Sequence, residues 1–142
     1  MQELERKFKA YYLTAIFSLI FAVVGFSYNA WRLEATEDNN NIRTASFEVL
    51  TELAELQQLI YSAHYDHDKI NGNPRTGWVK VGLVVDLSSL IGEQVATKAM
   101  QLKVSWSGNW DSIENSREAV DALIADIDSV RLAIKETLKN LN

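Results

Sequence analysis

His64-Tyr65-Asp66-His67-Asp68 is the one grouping of metal-capable side chains in a sequence with two histidines and no cysteine. On a helix, His64 and Asp68 stand one turn apart with His67 beside both. The three could then face one way and hold zinc or another divalent ion, with water in the open position. No HExxH motif accompanies them and no fourth protein ligand stands out. The same residues also read as a polar helix end, with His67 on the extension of an apolar stripe where a hydrogen-bonded core histidine would sit.

Trp78, Trp106 and Trp110 are the large aromatic residues of the C-terminal part. A four-residue step puts Trp106 and Trp110 on one helix face. They could line a small-molecule pocket or anchor a partner protein, or they could simply fill a core. Ser88, Ser89 and Ser105 have no histidine–acid partner at a recognisable spacing, so a serine nucleophile is unsupported. Asp126 and Asp128 lie two apart and diverge on a helix, which separates them for joint acid–base work. Asn73-Pro74-Arg75-Thr76-Gly77 reads as a connecting loop and lacks the glycine run and Lys-Ser/Thr pair of a phosphate cradle. The sequence calls for no cofactor, and the expectation is a protein that is not an enzyme.

Composition narrows the field further. The 142 residues leave room for one small domain and one membrane segment. The net charge is −5 and no basic face follows the first nine residues, so a nucleic-acid partner is not expected. Without cysteine, disulfides and thiolate chemistry are absent.

The strongest signal is at the N-terminus. From Ala10 to Tyr28 the chain reads AYYLTAIFSLIFAVVGFSY, uncharged throughout and about the length that crosses a bilayer as a helix. Tyr11 and Tyr12 flank one end, Tyr28 and Trp31 the other, as membrane interfaces select. The polar members Thr14, Ser18 and Ser27 can bond back to helix carbonyls. Tyr28-Asn29-Ala30 is a poor signal-peptide cleavage site. Residues 10–31 are therefore expected to span the inner membrane and contact lipid. Arg6, Lys7 and Lys9 before the span favour a cytoplasmic tail over residues 1–9, with the C-terminal domain on the periplasmic, extracytoplasmic side.

Residues 32–41 read as a polar stalk or linker, with a break or kink expected near Asn39 to Asn41 and a new helix starting at Asn41. From there the expectation is a helical bundle over 42–142. Ile42, Ser46, Val49, Leu53, Leu56, Ile60 and Ala63 recur at alternating three- and four-residue steps, and that helix should run to about Asp68. Asn71 to Pro74 and Gly77 mark a turn. Val79 to Val85 has the composition of a buried strand, but no second β-rich run could pair with it, so helix is preferred. Gly92 ends or kinks that helix. Val95, Ala99, Leu102 and Trp106 mark the next. Asn115 and Glu118, at capping-box spacing, open the last, striped by Ile113, Val120, Leu123, Ile127, Val130, Ile134, Leu138 and Leu141. The fold class is all-α: one N-terminal transmembrane helix followed by a three- to four-helix bundle.

This plan is loosely similar to the extracytoplasmic helical sensor domains of bacterial chemoreceptors and kinases. Those carry a second membrane pass and a cytoplasmic signalling region, and this sequence has neither. Three functions are consistent with the residues, in this order. The first is a non-catalytic structural or interaction protein with a protein partner or as a homo-oligomer. The second is a ligand-binding module acting through a partner. The third is a metal-binding protein using His64, His67 and Asp68.

Overall fold

The computed structural model describes residues 1–141, and all regular structure among them is helical. Helix α1 spans Gln2–His64, α2 Pro74–Ile91, α3 Glu93–Asn109 and α4 Arg117–Lys139. The chain divides into two compact units, Met1–Asp38 and Asn39–Asn142.

In the first unit α1 is long and apolar enough to cross a membrane. Its large side chains are exposed on every side of the helix, Ile16, Leu19, Val23 and Phe26 among them. That pattern is unlike a soluble core helix, whose apolar face is covered. Thr14 Oγ1 donates to the Ala10 carbonyl at 2.9 Å, so its hydroxyl is satisfied inside the helix as its place in the sequence suggests. The Tyr28 and Trp31 rings lie 6.2 Å apart at the far end of the apolar run. The break expected at Asn39 to Asn41 does not occur. These residues are helical, and Thr44 Oγ1 bonds back to the Asn40 carbonyl at 2.9 Å. Extending a helix already nucleated adds one hydrogen bond per residue, which outweighs the modest preference of asparagine for a cap.

The second unit is a four-helix bundle made from the end of α1 and from α2, α3 and α4. Val49, Leu53, Leu56 and Ile60 of α1 are fully buried, as their spacing predicts. Val81 and Val84 make the ambiguous valine run a helix with one buried face. Val95, Ala99, Leu102 and Trp106 line α3, and Val120 to Ile134 line α4. Glu52 lies beside the buried stripe of α1 and is itself half-buried. Its side chain is 15% exposed and accepts from Lys80 Nζ of α2 at 3.1 Å, while Glu55 pairs with the same lysine. Burial alone would lower the Lys80 pKa, but the hydrogen bonds and charges of Glu55 and Glu52 outweigh it and hold the ammonium above its ordinary value.

Three boundaries differ from the sequence reading. Helix α1 ends at His64 rather than Asp68. Residues 74 to 77 are the first turn of α2, not a loop: Asn73 Oδ1 accepts from the Arg75 N–H at 2.9 Å, and Pro74 follows the cap, where its missing N–H costs nothing. The cap of α4 is Ser116, whose hydroxyl accepts from the Ala119 N–H at 3.2 Å, so Asn115 and Glu118 form no capping box and Ile113 is buried ahead of the helix.

Gly77 of α2 packs directly against Trp106 of α3. A methyl on Gly77 would overlap Cζ2 and Cη2 of the Trp106 ring, which is wholly buried. Gly82, also on α2, lies in open space: a methyl there would meet nothing within 4 Å. Gly77→Ala should therefore destabilise the bundle by about 1–3 kcal/mol through overpacking. Gly82→Ala should stabilise it by roughly 0.5–1 kcal/mol through helix propensity. Thermal unfolding of the two variants, followed by circular dichroism, checks the opposite signs.

Candidate functional site

An antiparallel run of helices brings the α1–α2 and α3–α4 connections to the same end of the bundle. His64 Nδ1 bonds to the Ile113 carbonyl at 2.8 Å, which requires that nitrogen to donate. His67 Nδ1 lies 3.9 Å from Glu114 Oε1. Between the two connections is a cleft of about 380 Å³, within the range of small-molecule sites. Trp110, Asp111, Ile113 and Glu114 line it from one connection, and His67 and Lys69 from the other.

Local chain chemistry explains how these side chains are placed. After His64 the helix stops because His67 takes a left-handed conformation, φ 50°, and the Asp68 N–H reaches back to the Ser62 carbonyl at 3.0 Å. Glycine or asparagine usually holds such a helix-ending position, since a larger side chain pays a steric penalty there. Asp68 then organises the turn. Its Oδ1 accepts from the Ile70 N–H at 2.8 Å and the Asn71 N–H at 3.1 Å, and its Oδ2 from Asn71 Nδ2 at 2.7 Å. Gly72 closes the turn, because a side chain there would lie 2.5 Å from the Asp68 carbonyl oxygen and 2.6 Å from the Ala63 backbone.

The three candidate metal ligands are not brought together as a set. Helix α1 ends before His67, so the one-turn spacing that would align them is lost. His64 is committed to Ile113 and Asp68 to three N–H donors. Among the described residues no group of three His, Asp or Glu side chains could hold a metal ion.

The tryptophans also part company. Trp106 is wholly buried, so it contacts neither partner nor ligand from outside, and its indole N–H has no acceptor among the described residues. Trp78 is partly buried against the core. Trp110 is 39% exposed on the cleft, because α3 ends at Asn109 and Trp110 is its cap, bonded through its N–H to the Trp106 carbonyl at 2.9 Å. Of the serines, Ser88 is buried and its hydroxyl has no hydrogen-bond partner among the described residues, while the Ser89 hydroxyl donates to the Asp86 carbonyl at 2.6 Å. Asp128 pairs with Arg131 at 3.0 Å, within its own helix.

Sequence reasoning missed Lys69, Asp111 and Glu114, since nothing in their spacing signals that two distant loops meet. It also missed two surface features. On α2, Val79, Leu83 and Leu90 share one face and are exposed, as are Met100 and Val104 on the adjoining α3. In the first unit, steps of three and four residues align Thr14, Ser18, Ala22, Gly25 and Asn29 on one face of α1, and a methyl on Gly25 would meet nothing within 4 Å.

Compared with known protein families, with curated proteins and with solved structures, the chain matches none.

The N–H donors around Asp68, led by the Asn71 backbone, hold its carboxyl below the ordinary value of 3.8. A depressed pKa contributes stability that is present above the unfolded value and is lost as pH falls through the folded one. Acidification below about pH 3.8 should therefore loosen this turn. Hydrogen exchange at the Ile70 and Asn71 amides checks this: Asp68→Ala should show that faster exchange already at neutral pH.

Proposed function

We propose that this chain is a non-catalytic, membrane-anchored interaction protein that presents its bundle to protein partners at the membrane. The observation that carries this reading is the pair of apolar stripes on α2 and α3. The bundle core closes without Val79, Leu83, Leu90, Met100 and Val104, so their exposure serves no internal packing. Exposed apolar side chains on two helices that pack together offer apolar surface to a partner. The small face of α1 supports it, since close helix–helix approach in lipid uses small residues. In this reading residues 10–31 cross the inner membrane, the basic tail is cytoplasmic and the bundle is periplasmic. The partner is another protein or a second copy of the chain.

The cleft favours a second reading, a ligand-binding module that acts through such a partner. Its lining of one tryptophan and several charged groups is the observation behind it.

Topology is directly measurable because the chain has no cysteine. A membrane-impermeant thiol reagent added to cells with a permeable outer layer should label Ser107→Cys and leave Gln2→Cys unlabelled until the inner membrane is opened. Labelling of Gln2→Cys first would reverse the orientation. For the partner, crosslinking and extraction in mild detergent should recover a companion protein or an oligomer. Val79→Ser/Leu90→Ser should reduce that recovery severalfold while leaving the melting temperature close to wild type, since both side chains lie outside the core. Recovery of monomer alone would count heavily against the interaction reading.

A further inference from the structure

We propose that the cleft between the two connections binds a small organic cation, an alkylammonium or amine, through the Trp110 ring and the Glu114 and Asp111 carboxylates. This gives the second reading its ligand class, and it is independent of the contact surface on α2 and α3.

The charges in the cleft point to a cation. The residues lining it include three acids, Asp68, Asp111 and Glu114, against one lysine, Lys69, and the imidazole of His67. The carboxylate of Asp68 is spent on its own turn. Glu114 is 46% exposed, and among the described residues its one ion-pair neighbour is His67, at 3.9 Å. Asp111 accepts one local hydrogen bond, from Ser112 Oγ at 3.0 Å, and keeps further acceptor capacity.

The walls point to an organic cation rather than a metal ion. A metal needs several converging ligands, and no group of three exists among the described residues. An alkylammonium needs instead an aromatic face beside a carboxylate, because the ring quadrupole and the ionised oxygen both attract it. Trp110 supplies that face. Its backbone is fixed at the end of α3 by the bond to the Trp106 carbonyl, and its side chain, 39% exposed, lines the cleft. The volume of about 380 Å³ suits a ligand of a few heavy atoms to the size of an amino acid.

The test uses the full chain in detergent micelles and the indole N–H resonances of its four tryptophans, with Trp110 assigned from Trp110→Phe. Tetramethylammonium chloride and butylammonium chloride are titrated separately at ionic strength held constant with sodium chloride. The expected result is a saturable shift of the Trp110 signal with those of Trp31, Trp78 and Trp106 unmoved. Glu114→Gln should weaken the apparent Kd roughly three- to thirty-fold, the loss expected when one charged partner of a partly desolvated cation is neutralised. A melting temperature equal to wild type shows that this variant is folded; should it not be, Asp111→Asn replaces it with the same expectation. The proposal is overturned by no saturable shift, by equal shifts of all four indoles, by an unchanged Kd in the folded variant, or by sodium butyrate producing the same shift through Lys69. Loss of partner recovery from the α2–α3 surface would leave this result untouched, so the two readings fail separately.

Discussion

The Trp106 indole occupies the interior of the bundle only because residue 77 has no side chain. A tryptophan buries more area than any other residue, and here it sits where α2 and α3 must approach. Packing at native density leaves no slack for a methyl at that contact. The approach of the two helices at this level also carries the start of α2 and the end of α3, and with them the two connections. Near that end His64 pairs with the Ile113 carbonyl, and Trp110 stands one helical turn beyond Trp106.

Residues capable of chemistry are mostly engaged in holding the chain together. His64 ties one connection to another, Asp68 folds its own turn, and Lys80 joins α2 to two glutamates of α1. Each is a plausible reactive group by type. In place, each is a fastener, because a polar group near a core must be satisfied and the nearest backbone or charge usually does so. Glu114, Asp111 and Trp110, which line the cleft, carry no motif.

Much of the architecture was legible because helical periodicity is a local property. The stripe through Val49, Leu53, Leu56 and Ile60 and that through Val120, Leu123, Ile127 and Ile134 predict buried faces, and those residues are buried. The preference for helix over strand at Val79 to Val85 rested on the lack of a pairing partner, and α2 agrees. Boundaries were harder. Asn115 and Ser116 are both good caps, and only the closure of the core onto Ile113 and Ala119 selects Ser116. Likewise, Gly77 reads as a turn residue until Trp106 is seen to require it inside a helix.

By itself, then, the sequence determined an all-helical chain, an apolar helix long enough to cross a membrane, and the inward face of each bundle helix. Those depend on hydrophobic spacing along one segment at a time. Only the tertiary structure decided that His64, His67 and Asp68 do not converge and that Trp106 is sealed while Trp110 is open. It also decided that Lys69 and Glu114 line one cleft. Such facts depend on which distant segments meet, and helical periodicity specifies which face turns inward but not what it will find there.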